Sequence, residues 1–287
     1  MHEIYIKANA KINWSLDVVG KREDGYHLLD MVLNSVELAD EIYIEKSNAI
    51  EVSTDSGELP DFQNNIAYRA VKLFSQRYKT SGAKVVIKKR IPIQAGLGGG
   101  SADGAAVLEG LYRLYGVEAT LEQKREQGLI LGADVPFMLT GGLARVGGIG
   151  ENIKTFQTEY IYNIVIIKPP KGSPTAEIFN NYRKDAIIKR PDNDKLIYAL
   201  QTGAVRRISE QMINVLQGVT KKFVPETDFL CAELVDAGAQ GAVMTGSGSA
   251  VFGLFEDMDT AKKTYERFKE RFIDVFITKT CTQGLIL

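Results

Sequence analysis

The sequence predicts an α+β protein of two domains, on three observations. At 287 residues the chain is close to twice an ordinary domain of about 150 residues. Its first ninety residues alternate apolar and polar side chains as strands do, then give way to a glycine-rich segment that runs straight into an Ala- and Leu-rich helix. Its second half mixes a strand, a proline break, several helical stretches and closing strands. Hydrophobic residues at 45% and charged residues at 25% are values of a globular chain, which excludes collagen-like, disordered and low-complexity classes.

Strands are expected at Ile4–Ile6, Ile12–Val19, Ile42–Ile44 and Val85–Ile87. Between Asn65 and Lys79, the apolar residues Ile66, Ala67, Ala70, Val71, Phe74 and Tyr78 recur at three and four, predicting an amphipathic helix ended by Gly82. A strand at Lys84–Lys89 and a break at Pro92 precede QAGLGGGSADGAAVLEGLYRLYG, which reads as strand, glycine loop, helix. A helix at Leu121–Leu131, the loop LGADVPF and the patch GGLARVGGIGE follow. A boundary near Ile153–Gln157 divides the chain into domains 1–155 and 156–287. Beyond it come a strand at Ile161–Ile167, a break at Pro169 and Pro170, helices between Ala176 and Ala237, the segment VMTGSGSAVFGLF, a helix from Thr260 to Phe272 and a last strand. Lys88, Lys89 and Arg90 read as a solvated strand end.

Composition narrows the chemistry. Lys plus Arg number 35 against 36 Asp plus Glu, a formal net charge of −1, so there is no global basic excess to hold nucleic acid. Cys231 and Cys281 stand in no metal-ligand spacing, which points to a reducing compartment and no disulfide framework. With His2 near the start and His27 the one internal histidine, zinc sites built on several histidines are excluded, and a serine-hydrolase triad would have to use His27. The opening MHEIYIKANAKINW has no apolar h-region, and the densest apolar stretch, Tyr160–Ile167, is short and contains Asn163. A soluble cytoplasmic protein with no membrane partner is expected.

Gly96–Ser101 is the strongest local signal. Glycines let backbone approach an anion closely, and the helix that follows offers free N–H groups and a positive dipole end. It is neither a Walker loop, for no Lys follows the glycines, nor a dinucleotide fingerprint, for Ser101 replaces the third required glycine. A side chain at Gly99 is expected to block approach and to resist positive φ. The plainer reading is a tight turn with Ser101 as N-cap and Asp103 in the first turn. Gly132-Ala133-Asp134-Val135-Pro136 places a carboxylate among small residues, as a functional group or as a turn or cap residue. Lys11 lies in an apolar strand with Asn13 two positions on and on the same face. Its partner is Asp134 or a phosphate, unless the strand is a solvated edge. Asp24-Gly25-Tyr26-His27 reads as a turn followed by two aromatics able to stack on a base, and Thr245-Gly246-Ser247-Gly248-Ser249 as a hairpin turn.

In order, A-K-I-N, D-G-Y-H, P-x-x-A-G-L-G-G-G-S, G-A-D-V-P-F and T-G-S-G resemble the GHMP kinase superfamily across nearly the full chain. Within it, G-L-G-G-G-S, G-A-D-V-P and D-G-Y-H look like the branch that phosphorylates a cytidine-diphosphate-linked methylerythritol in the non-mevalonate route to isoprenoid precursors. Homoserine and mevalonate kinases usually carry serines after G-L-G and lack D-G-Y-H. The resemblance implies an S5-like amino-terminal domain, a ferredoxin-like carboxy-terminal domain and an active site in the cleft between them. It further implies ATP with Mg²⁺, the metal ligands unassigned, and a monomer or weak homodimer.

By that resemblance, Gln94, Ala95, Gly96, Leu97, Gly98, Gly99, Gly100, Ser101 and Asp103 belong to the nucleotide site, and Asn65, in N-N-I-A-Y-R-A, helps hold the adenine. Tyr26, His27 and Phe179 bind the cytosine, Gly246 and Ser247 belong to the substrate site, and Lys11 and Asn13 meet the erythritol and the moving phosphate. Asp134 is the catalytic carboxylate, with Lys11 as its catalytic partner. Ala10, Ser173, Gln217 and Ser249 depart from the family pattern without removing a catalytic group. Two alternatives are a GHMP kinase for another small alcohol, which would not need Tyr26, His27 and Phe179, and a silent ATP-binding regulatory homologue, against which the pair Lys11 and Asp134 argues.

Overall fold

The computed structural model describes residues 2–55 and 65–287. Chain order in the first half is β1 (Glu3–Lys21), β2 (His27–Ser47), β3 (Glu51–Thr54), α1 (Ile66–Tyr78), β4 (Gly82–Lys88), α2 (Gly99–Tyr115), α3 (Leu121–Leu131), α4 (Val135–Thr140), β5 (Leu143–Gly148) and β6 (Asn152–Phe156). The second half runs β7 (Asn163–Ile167), α5 (Thr175–Asn180), α6 (Asn193–Thr202), α7 (Val205–Gln211), α8 (Gln217–Thr220), α9 (Glu226–Asp236), β8 (Gly241–Met244), β9 (Val251–Phe255), α10 (Met258–Lys269), β10 (Val275–Cys281) and β11 (Leu285–Ile286).

The two strands expected at Ile4–Ile6 and Ile12–Val19 are one strand, β1, paired antiparallel to β2 along its length. The register shifts between Asn9 and Lys11, Asn13 and Ser15, and Val18 and Gly20, so β-bulges carry the strand through its polar residues and bend it beside the site. Burial alternates from Glu3 to Lys7 and is then continuous from Ala8 to Val18, because the second half of β1 is covered on both faces.

β2 also pairs with β4 and β5, β3 lies parallel to β4, and β6 completes a hairpin with β5. The second sheet is antiparallel, in the order β10-β7-β9-β8. The sheets join where Thr280 and Cys281 of β10 pair with Val36 and Ser35. The chain then returns to the first sheet as β11 beside β1, with Ile286 opposite Lys7. A Cβ on Gly141 would lie 1.9 Å from the Gly284 nitrogen, so the end of α4 and the segment before β11 touch backbone to backbone.

Helix α2 lies against the first sheet, close enough that a Cβ on Gly110 would sit 2.3 Å from Ile44 Cδ1. Its alanines and leucines are buried, and Gly116 ends it in the left-handed region. Asn65 caps α1 by accepting the Ala67 and Tyr68 N–H groups. Lys79, at φ 52°, ends α1 in place of the expected Gly82, which instead opens β4 where a Cβ would lie 2.2 Å from Ala49 O. The helix expected to start at Thr260 starts at Met258, with Asp257 as cap. Ile161 lies outside β7 and is exposed.

The one tryptophan, Trp14 of β1, is fully buried and meets Tyr162 and Phe252 edge-on at 5.6 and 5.5 Å, tying the first sheet to the second. Trp14→Ala is expected to cost about 3–5 kcal/mol of stability, read from urea unfolding followed by circular dichroism.

Candidate active site

The segments singled out in the sequence, Asp24–His27 apart, meet around one cavity of about 510 Å³, walled by both halves of the chain. From the first half come Lys11, Asn13, Asn65, Gln94 to Ser101, Asp103 and Asp134; from the second, Thr175, Phe179, Gly246 and Ser247. Asn64 of N-N-I-A-Y-R-A lies outside the described residues.

Helix α2 begins at Gly99 with Gly98 as its left-handed N-cap; Ser101 is not the cap, and no acidic residue lies in the first turn. The first helical bond is Ala102 N–H to Gly98 O, which leaves the N–H groups of Gly99, Gly100 and Ser101 without acceptors among the described residues. Positive φ occurs at Gly96 and Gly98 and not at Gly99. A Cβ on Gly96 would lie 2.1 Å from Thr245 O, because the loop is pinned on both sides. Lys11 N–H donates to Leu97 O, and Ala250 N–H donates to Ala95 O.

At this seam lies the Lys11 ammonium, 3% exposed, donating to Asn13 Oδ1 at 2.6 Å and to Gly96 O at 2.7 Å, with Asp134 Oδ2 at 3.8 Å. Burial pushes its pKa below the ordinary lysine value, and Asp134 pulls it part of the way back. Lys11 is therefore no solvated edge residue. Asp134 stands at the N-cap position of α4 but caps nothing: its carboxylate takes no hydrogen bond among the described residues and is about one-third exposed to the cavity. Thr245 Oγ1 accepts the Asn13 N–H and reaches Asn13 Oδ1 and Gly96 O, each at 3.2 Å. Asn214 Nδ2 donates to Met244 O and Gly246 O, fixing the far loop.

Lys89, read as part of a solvated strand end, is mostly buried, and its ammonium meets the carboxylates of Asp40 and Asp103. The two acids supply the counter-charge that the local K-K-R run hides. Asp103 thus faces Lys89 rather than the open loop.

Phe179 of α5 lines the cavity, and His27 lies behind it, ring centroids 5.4 Å apart. Tyr182 meets His27 edge-on at 5.9 Å. Burial, then the charge of Lys21, lowers the His27 pKa below 6.5, keeping the imidazole neutral at pH 7. Asp24 and Gly25 form the hairpin turn between β1 and β2; Tyr26 beside them is 63% exposed and outside the cavity wall. Among the described residues no group of three or more His, Cys, Asp or Glu side chains is placed to hold a metal ion.

Comparison with known proteins bears on this geometry. The family model for the GHMP kinases N terminal domain matches residues 65–142, and that for GHMP kinases C terminal matches 196–274. The chain belongs to the GHMP kinase family. This GHMP kinase is 41% identical over 277 residues, 96% of its length and 99% of the relative's, to 4-diphosphocytidyl-2-C-methyl-D-erythritol kinase of Clostridium botulinum. To the Acetivibrio thermocellus protein of the same name it is 42% identical over 282 residues, 98% of this chain and 100% of that one. A crystal structure of 4-(cytidine 5'-diphospho)-2C-methyl-D-erythritol kinase superposes with a TM-score of 0.81 at 32% identity, covering 96% of this chain and 99% of that one. The α+β fold and the kinase activity implied by the motifs hold.

Three residues that build this part of the GHMP kinase were missed in the sequence. Thr245 stood in a quoted motif without a role, Asn214 lay outside every motif, and Lys89 was hidden by its basic neighbours. The glycines are separable by experiment. Gly96→Ala should lower the melting temperature and weaken nucleotide binding, since its Cβ meets fixed backbone. Gly100→Ala, whose nearest atom is Ile66 Cδ1 at 3.7 Å, should be neutral or slightly stabilising in a thermal melt.

Proposed function

We propose that the chain transfers the γ-phosphoryl group of ATP to the 2-hydroxyl of 4-(cytidine 5'-diphospho)-2-C-methyl-D-erythritol. The observation that carries the reading is the Lys11 ammonium held among Asn13, Gly96 O and Asp134 where the glycine loop meets the Thr245–Ser249 turn. The curated relatives named for this activity, at about 40% identity over nearly the whole chain, support the choice of acceptor.

Phosphoryl transfer asks a protein mainly for positioning and charge stabilisation. The N–H groups of Gly99, Gly100 and Ser101, which have no acceptor among the described residues, hold phosphate oxygens at the positive end of α2. Lys11 stabilises charge on the moving group, and Asp134 takes the proton of the attacking hydroxyl. Asn13 orients the acceptor, Asn65 helps hold the adenine, and the cytosine stacks at Phe179 with His27 behind. Asp134, a cavity-wall carboxylate without a hydrogen-bond donor, also fits a Mg²⁺ ion arriving with the nucleotide. When bound, that ion neutralises phosphate charge.

The division into 1–155 and 156–287 goes with this reading: the family models match on either side of it, and sheet membership changes between Phe156 and Asn163. The reading calls for no nucleic-acid or membrane partner, a monomer or weak homodimer, and a cytoplasmic location. Among the described residues no helix is long and apolar enough to cross a membrane.

The deciding assay is ATP consumption with the cytidylylated substrate beside homoserine and mevalonate; turnover of either of the latter alone would shift the assignment to another small-alcohol kinase. Asp134→Asn should lower kcat by about 10²–10⁴ while nucleotide still binds, and near-normal turnover would remove Asp134 from the chemistry. Phe179→Ala should raise the acceptor KM roughly 5- to 150-fold and leave that of ATP in place. Because the imidazole is held neutral, acceptor affinity in the unmutated enzyme should fall only as the pH drops below about 6.5 and His27 gains a proton.

A further inference from the structure

Behind the glycine loop lies an ion cluster that takes no part in the chemical step described above. Lys89, just past the end of β4, sets its ammonium on Asp40 of β2 and, at 2.8 Å, on Asp103 in the second turn of α2. The three side chains are 14%, 0% and 8% exposed. A Cβ on Gly99 would lie 3.5 Å from Lys89 Nζ, so the cluster stands directly behind the free N–H groups of the first turn. Asp40 is fully engaged, accepting from the N–H groups of Arg90 and Ile91 as well as from Lys89. Asp103 is not: its Oδ1 is buried without a donor. Two carboxylates share one ammonium, so with both ionised the cluster carries an excess negative charge beside a site for polyphosphate.

We propose that Asp103 is a positioning residue for the nucleotide, holding Lys89 behind the phosphate loop and, through its own charge, setting how strongly that loop attracts phosphate. The proposal rests on the kinase reading above. Like charges brought together away from water repel strongly, and the buried carboxylate relieves that repulsion by taking a proton. Burial pushes the Asp103 carboxyl up to about 7 against the opposing pull of Lys89, with Asp40 adding to the rise. No other titratable group faces it closely among the described residues. Helix α1 presents Ile66 to the neighbouring Gly104, and Asp55 pairs farther out with Arg90. Nucleotide binding and proton uptake at Asp103 therefore favour each other, and affinity declines as the pH rises through 7.

Calorimetric titration with ADP, acceptor absent, at pH 6 and pH 8 tests this. Asp103→Asn keeps an oxygen for Lys89 and drops the charge. It should bind ADP about 3- to 10-fold more tightly than the unmutated chain at pH 8 and equally at pH 6, tenfold corresponding to one unit of pKa rise on binding. Asp103→Leu, which leaves Lys89 only its Asp40 partner and draws the ammonium away from the loop, should weaken binding about tenfold at both pH values. Asp103→Asn binding no tighter at pH 8, or tighter by the same factor at both pH values, overturns the proposal. That comparison decides alone if the leucine variant does not fold. If the unmutated chain fails to bind ADP at all, the kinase reading itself falls.

Discussion

A lysine ammonium taken out of water must find oxygen on every side, and the arrangement of this molecule follows from meeting that demand at Lys11. One oxygen comes two residues along the same strand, from Asn13. A second is the Gly96 carbonyl of the glycine loop, and the nearest carboxylate is Asp134, ahead of α4. The three oxygens ride on three different parts of the chain. The bulges of β1, the pinned loop and the short helix must all be in place before the ammonium is tolerable. The same convergence leaves a compensated positive charge facing a cavity, which is what a transferring phosphoryl group requires.

The loops close on one another without side chains between them. At Gly96 the nearest backbone of the Thr245 turn occupies the space of a Cβ, and at Gly246 the approach is returned. Such contact leaves no side chain to adjust between the two loops, so their backbones fix the distance between the halves of the molecule at this point. The Asp40, Lys89 and Asp103 cluster extends the same logic behind the loop: charge is placed by buried partners rather than by the loop's own side chains.

Much of this was legible in the sequence. Helix α1 announces itself by periodicity and α2 by the Ala- and Leu-rich run behind the glycines, and the cavity collects nearly all the residues that the motifs nominate. What was not legible depends on long-range pairing. Two strands fused into one because bulges keep Asn9 and Lys11 in the ladder with β2, which no local pattern announces. Lys89 looked solvated because its acids lie 49 and 14 positions away. Thr245 shows no role until Asn13, 232 positions earlier, is beside it. Position in a motif reveals that a residue matters; only the partner reveals how.

The return of the chain end to the first sheet bears on the order of synthesis. Asn9 donates its N–H to Gly284 O, and β11 lies along the edge of β1. A nascent chain makes β1 long before its edge partner, so the growing polypeptide carries an unpaired strand edge until β11 has been made. Bare edges of that kind invite pairing with other chains. The charged residues Glu3 and Lys7 on the exposed face of β1 are therefore well placed to keep it soluble while it waits.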